Sequence, residues 1–193
     1  MLGVVLCGGE SKRMGSDKAL LPMANKTWAE VAYTKLLQLQ IPVYLSVNHQ
    51  QVHFLKNLFS SANVVVDDIT IDIGGPLLGL LSVHQIYPTE DILLFACDMP
   101  NMTTTVLQHL QTISRNRIFE VIVFNNNGQI EPLCAIYSAK ALQKIMILYK
   151  QNALKKYSMH YVLAHVQVFI IDVPFSWQGY FINCNSKSDL VNL

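Results

Sequence analysis

Ile92-Leu93-Leu94-Phe95-Ala96, closed at once by Cys97-Asp98-Met99-Pro100, is the stretch on which the architecture turns. Its five apolar residues show no polar alternation, so both faces of this strand are buried, as in a parallel sheet covered by helices on either side. Working outward, three more short runs read as strands: residues 2–7 (LGVVLC), broken by Gly8-Gly9, then 43–47 and 63–66. Helical spacings lie between them. Val31, Ala32, Leu36 and Leu39 share the face of a helix over 28–40, and Pro42 marks the exit from it. Residues 51–59 and 77–86 read as two more helices, the second after the loop Gly74-Gly75-Pro76.

Downstream, 103–114 and 138–149 read as helices, and 121–124 and 133–137 as strands around an Asn126-Asn127-Gly128 turn suited to a tight hairpin. Residues 154–163 read as one more helix and 166–173 as a strand, while Ser186 can cap a short final helix with Asp189 three residues on. The alternation predicts an α/β fold, a three-layer, doubly wound, mostly parallel sheet. Ligands in such sheets bind beyond the carboxyl ends of the strands near a topological switch point, so site residues should follow strands.

The length, 193 residues, suits one compact domain over 1–193. With 51% hydrophobic and 14% charged residues, much of the chain must be interior. Fourteen Lys and Arg against thirteen Asp and Glu leave a net charge of +1, so no global field draws the chain to nucleic acid or to an acidic membrane surface. Cys7, Cys97, Cys134 and Cys184 form no CxxC or CxxH spacing, which argues against a zinc ribbon or a thioredoxin-like pair; each reads as a small buried hydrophobe in a reducing compartment. No basic segment precedes the apolar start, and the run over 161–175 is short and carries His165, Gln167 and Asp172, so the expected location is cytoplasmic, with no membrane span. His49 and His53 are four apart on a helix face, but two ligands without a third make a poor metal site.

Residues 6–18 read LCGGESKRMGSDK. Gly8 and Gly9 carry no Cβ, so the backbone can turn sharply and bring its N–H groups against a phosphate or a base edge. Arg13 and Lys18 add two cations in a chain of otherwise balanced charge, and Gly15 permits another turn. Backbone donors with cations are what a polyphosphate requires. The spacing fits neither a Walker A loop nor a GxGxxG fingerprint. A second anchor is Asp98, expected at the carboxyl end of the central strand. A hard cation such as Mg²⁺ takes carboxylate and phosphate oxygens, and one Asp beside a triphosphate fits that pattern.

Read as a single string, LCGGESKRMGSDK matches without a gap the LxGGxSxRMGxDK signature of the molybdenum cofactor guanylyltransferase (MobA) family. Cys7, where that family usually carries Ala, is the one departure, and both are small. The resemblance runs in order from Leu2 to about Leu190, and CDMP is what the family carries at its magnesium-binding aspartate. It implies a Rossmann-like nucleotidyltransferase fold and an enzyme that moves GMP from GTP to molybdopterin, releasing pyrophosphate. It further implies Mg²⁺ on Asp98, with Arg13 and Lys18 on the β- and γ-phosphates. Main-chain groups of Leu6, Cys7, Gly8 and Gly9, together with Asn48 and Asp68, would read guanine and ribose. Gly75-Pro76-Leu77-Leu78-Gly79 resembles the family's GPLAG, which borders the guanine site. Residues 131–135 (EPLCA) resemble its P-x-x-A segment near the pterin and receive no chemical role.

Asn183 and Asn185 in YFINCNSKSDL resemble the family's FxNxN, where side-chain amides can reach a metal shell, phosphate oxygens or the pterin side. The implied partners are GTP, molybdopterin, and proteins that deliver molybdopterin or await the product as apo-molybdoenzymes. Two other readings stay open. One is a sibling on the same fold, a cytidylyltransferase for molybdopterin or a transferase for a sugar or lactyl phosphate; the Gly-Gly pair and the GPLLG string favour guanine over it. The other is a GTP-binding protein without turnover.

Overall fold

The computed structural model describes residues 1–8, 17–59, 63–115 and 119–184. In chain order the elements are β1 (Leu2–Leu6), a 3₁₀ turn (Lys18–Leu20), β2 (Pro22–Met23), β3 (Lys26–Thr27), α1 (Trp28–Leu37), β4 (Val43–Val47), α2 (Val52–Leu58) and β5 (Asn63–Val66). There follow α3 (Pro76–Ile86), β6 (Ile92–Ala96), α4 (Thr104–Arg115), β7 (Val121–Asn126), β8 (Gln129–Tyr137), α5 (Ala139–Lys150), α6 (Met159–Leu163), β9 (Val168–Asp172) and a 3₁₀ segment (Phe175–Phe181).

The main sheet runs β5-β4-β1-β6-β8-β7-β9. β5, β4, β1 and β6 are mutually parallel, β8 is antiparallel to β6 and β7, and β9 is parallel to β7. This is the doubly wound, mostly parallel α/β sheet that the apolar run of β6 predicts. The chain leaves β1 toward β4 and β5, then crosses to β6 on the other side of β1. The topological switch point therefore lies between β1 and β6.

Alternation along the central strands divides the core into two layers. Val5 and Cys7 of the first strand and its extension, with Leu93 and Phe95 of β6, face Ala32 and Leu36 of α1, Leu55 of α2 and Leu107 of α4. Val4, Leu6, Ile92 and Leu94 face Leu80 of α3, Leu142 of α5 and Val162 of α6. All five residues of β1 and of β6 are buried, which accounts for their unbroken hydrophobicity. Truncating a side chain such as Phe95 here should cost about 3–5 kcal/mol.

Helix starts follow local chemistry. Thr27 and Glu30 form a reciprocal capping box at α1, with Thr27 N donating to Glu30 Oε2 at 2.7 Å. Thr103 Oγ1 accepts from Val106 N (3.4 Å) at α4, and Ser138 Oγ accepts from Ala141 N (3.1 Å) at α5. The Asn-Gly step does make a tight hairpin, with Asn127 and Gly128 at φ 52° and 85° joining β7 to β8.

Four elements differ from the sequence expectation. A small antiparallel hairpin, β2-β3, turns through Ala24 at φ 52°, where no glycine signals it. Of 154–163 only Met159–Leu163 is helical, capped by Ser158, because the polar stretch before it buries little beyond Leu154. β8 begins at Gln129 rather than 133 and is bulged: Val123 pairs with Ala135, but the next residue, Phe124, pairs with Glu131. The apolar run near the C-terminus divides into β9 and a 3₁₀ segment beginning after Pro174, which cannot donate to a ladder. The helix expected after Ser186 lies outside the described residues.

Candidate active site at the β1–β6 switch point

The parallel pairing of β1 with β6 runs to Leu6↔Ala96 and carries the two chains out of the sheet side by side. Cys97 N still donates to Leu6 O (3.2 Å), and Cys7 N to Ser46 O (3.0 Å). Gln51, almost fully buried, donates from Nε2 to Cys7 O at 2.8 Å. The start of the glycine-rich loop is thus tied on both sides before Gly8. Buried and hydrogen-bonded to the Cys7 thiol, the Cys97 thiol is held well above its ordinary pKa. All four cysteines are free and buried.

The Asp17 side chain accepts from Ala19 N (3.0 Å) and caps the 3₁₀ turn. That turn aims Lys18 back across the switch point. Lys18 Nζ lies 3.1 Å from Asp98 Oδ2, with about a fifth of each side chain exposed. The Asp98 carbonyl accepts from Cys184 N at 2.9 Å, which brings Asn183 into the same corner. Lys35 of α1 supports the turn after Asp98 from below, donating to Pro100 O at 2.7 Å. Three of the expected residues, Lys18, Asp98 and Asn183, are therefore gathered at one place. Gly9, Arg13 and Asn185 lie outside the described residues.

Asp98 Oδ1 is buried and has no hydrogen-bond partner among the described residues. Near it, Glu131 of β8 is only 4% exposed, and burial together with the Asp98 charge raises its pKa to about 7. An orphaned carboxylate oxygen with a second carboxylate nearby suits a hard divalent cation, which would complete its shell with phosphate oxygens and water. His49 lies in the turn before α2, its Nε2 3.1 Å from Asp67 O, so it does not share a helix face with His53 as the spacing predicts.

On the β4–β5 side, two adjacent acids follow β5 and behave differently. The Asp67 carboxylate accepts from Ser46 Oγ at 3.4 Å, and its Oδ2 would lie 3.6 Å from a Cβ built on Gly8. Burial lifts its pKa to about 6 against the opposing pull of Ser46 and His49. The Asp68 carboxylate instead accepts from Thr70 N (2.8 Å), which lowers its pKa. The acid facing the glycine loop is Asp67. Alternation along the strand decides this, and a sequence motif that fixes an acid only by its distance from Gly75 does not show it.

Asn48 follows β4, as expected, but its Oδ1 is engaged by Gln50 N and Gln51 N, both at 2.9 Å. Only its Nδ2 is left to face a ligand. Gly75 takes φ 75° and Pro76 opens α3, the left-handed residue and the preset φ that this helix start requires. The demanding glycine of the GPLLG string is Gly79. A Cβ there would meet Ser46 Oγ at 2.3 Å and Leu6 Cδ2 at 3.0 Å, so α3 reaches β1 and β4 only through a bare backbone.

Motif reading passed over four residues that the structure places at or beside this cleft: Asp67, Gln51, Lys35 and Glu131. Glu131 had a visible signal, an acid in an apolar strand directly before Pro132, but nothing local says where it points.

Among the described residues no helix is long and apolar enough to cross a membrane. The chain is 30% identical to a protein of Geobacillus sp. (strain WCH70) named "probable molybdenum cofactor guanylyltransferase", covering 98% of this chain and 95% of that one. A protein of the same name from Flavobacterium johnsoniae is also 30% identical, with 98% and 94% covered. Among solved structures, molybdopterin-guanine dinucleotide biosynthesis protein A from Archaeoglobus fulgidus superposes with a TM-score of 0.82 at 21% identity, covering 100% of this chain and 96% of that one. The model of the MobA-like NTP transferase domain matches residues 3–166, spanning both strands of the switch point and the Lys18–Asp98 pair. By that match and by full-length relatedness, the chain is a nucleotidyltransferase belonging to the MobA-like NTP transferase family.

Proposed function

We propose that this chain transfers GMP from GTP to molybdopterin, forming molybdopterin guanine dinucleotide and releasing pyrophosphate. The observation that carries the reading is the 3.1 Å approach of Lys18 to Asp98 across the switch point, where this fold binds ligands. The names of the full-length relatives support the choice of substrates.

The acceptor is a phosphate monoester, already an anion, so its attack on the α-phosphorus needs no strong base. The work of the protein is positioning and charge neutralisation. Lys18, with Arg13 of the same loop, holds the β- and γ-phosphates and stabilises the departing pyrophosphate. Asp98 holds Mg²⁺, which when bound supplies charge neutralisation at phosphate oxygens. The main chain of Leu6 to Gly9 approaches the nucleotide closely. Asn48 through Nδ2, Asp67 or Asp68, and the Gly75-Pro76 start of α3 border guanine and ribose, while Asn183 and Asn185 serve the metal and phosphate or pterin side.

The whole of 1–193 acts as one nucleotidyltransferase domain, in the cytoplasm, where the four buried thiols stay reduced. Its partners are proteins that supply molybdopterin or receive the dinucleotide.

The test is incubation of the protein with Mg²⁺, molybdopterin and each of GTP, CTP, UTP and ATP, with the product read by mass. A guanine dinucleotide with stoichiometric pyrophosphate is the expected result. A cytosine product would reassign the chain to a sibling activity, and GTP binding without any pyrophosphate release would remove the enzyme.

A further inference from the structure

Glu131 and Glu120 are both buried acids, but they are not alike. Glu120, 8% exposed, accepts from Gln167 N at 2.8 Å and has Lys140 and Lys144 within 3.7 and 3.5 Å. Glu131, 4% exposed, has no side-chain hydrogen bond or ion pair among the described residues. A buried carboxylate without a counter-group is costly enough that folds rarely carry one unless a ligand completes it.

The backbone sets where this carboxylate goes. β6 and β8 pair as Ile92↔Tyr137, Leu93↔Ile136, Leu94↔Ala135 and Phe95↔Cys134. Asp98 and Glu131 both lie beyond the last of these pairs, so the two acids sit at the same end of adjacent strands. On its other side, Glu131 pairs with Phe124 because the strand bulges through residues 132–134. Bulges of this kind redirect side chains, often beside active sites. Pro132 within the bulge has its carbonyl tied to Tyr137 Oη at 2.9 Å, which fixes the distortion. Phe124 belongs to the core layer that includes Cys97 and Phe181, and paired residues share a face, so Glu131 is turned toward the layer beneath Asp98 and the segment ending at Cys184.

Two carboxylates, one with an orphaned oxygen, thus lie at one end of the sheet, and among the described residues Lys18 is paired with Asp98. We propose that Glu131 is a second carboxylate of the divalent-cation site, acting with Asp98, and that Lys18 holds the place of that cation until nucleotide and metal arrive together. This rests on the reading of Asp98 as the metal-binding aspartate. It also gives the strand before Pro132 a chemical role.

The experiment is Mn²⁺ binding followed by electron paramagnetic resonance, in the presence of a GTP analogue whose α,β-bridge is methylene and cannot react. Wild type, E131Q, E131A and D98N are compared, and folding is checked by thermal melting. Loss of one coordinating carboxylate should weaken Mn²⁺ by at least about 10-fold in E131Q and E131A, no less than loss of an outer-shell partner costs. Affinity for the analogue without metal should stay unchanged, which a merely structural role would not spare. The near-isosteric E131Q should melt no lower than wild type in the absence of metal, so it decides the matter even if E131A does not fold. Mn²⁺ affinity in E131Q equal to wild type overturns the inference. If D98N has then lost Mn²⁺, the Asp98 site stands without Glu131; if D98N has kept it, the reading of Asp98 falls as well.

Discussion

Lys18 Nζ and Asp98 Oδ2 sit 3.1 Å apart although 80 residues separate them, joined across the gap between the two central parallel strands. The pairing neutralises a partly buried carboxylate in the absence of ligand, and it must open for Lys18 to reach a polyphosphate. Lys18→Met and Asp98→Asn should each lower the rate of pyrophosphate release about 10²–10³-fold, equivalent to about 2.7–4 kcal/mol of transition-state stabilisation. Because the two act on one set of phosphate charges, the double variant should cost little more than either single one. Steady-state kinetics of the three variants checks this, and full additivity would place the residues in separate functions.

Gly79 is the point where α3 touches the sheet most closely. Gly79→Ala drives a methyl group into Ser46 Oγ, 2.3 Å from the ideal Cβ, and displaces the hydroxyl from Asp67. Overpacking of this kind should destabilise by about 1–3 kcal/mol. Ser46→Ala in the same chain removes the atom that is hit and should recover part of the loss. Urea unfolding midpoints of the single and double variants measure both steps.

Asp67 gives a pH dependence whose sign is determined. Its folded pKa is raised from 3.8 to about 6, mainly by burial. The folded state then holds the proton more tightly than the unfolded chain, so this contribution to stability is full below pH 3.8 and lost as pH rises through about 6. Asp67→Asn should therefore stabilise the protein above pH 6.5 by no more than about 1 kcal/mol, discounted for partial solvent screening, with the gain absent near pH 4. Denaturant titrations across that range test it. A gain independent of pH would mean that the carboxylate charge is not the cause.

Lys35 positions the turn that presents Asp98. Its donation to Pro100 O, at 2.7 Å, comes with a pKa lowered to about 8 by burial. A charged donor on a carbonyl contributes about 1.5–3 kcal/mol, but burying the ammonium offsets much of that. Lys35→Met should thus change global stability by less than about 1 kcal/mol while loosening the turn. Faster exchange of the Met99, Asn101 and Met102 amides, and a fall in turnover without a matching fall in melting temperature, are the expected readouts.

Much of this protein is legible from short stretches. The unalternating apolar run of β6, the spacing of Val31, Ala32, Leu36 and Leu39, and the string from Leu6 to Lys18 carry their meaning locally. Burial on both faces, helical periodicity and bare-backbone turns are properties of neighbouring residues, so the α/β class, the family and Asp98 at a strand end all follow from the chain as written.

The remainder was decided by tertiary structure. That Asp67 and not Asp68 faces Gly8, that a bulge pairs Glu131 with Phe124, that Gly79 must be glycine because Ser46 crowds its absent Cβ, and that Lys35 holds Pro100 are consequences of strand register and helix approach. Register and packing sum small terms from residues far apart in the chain, and a shift of one position reverses which side chain is inside. No local pattern contains that sum; only the folded arrangement does.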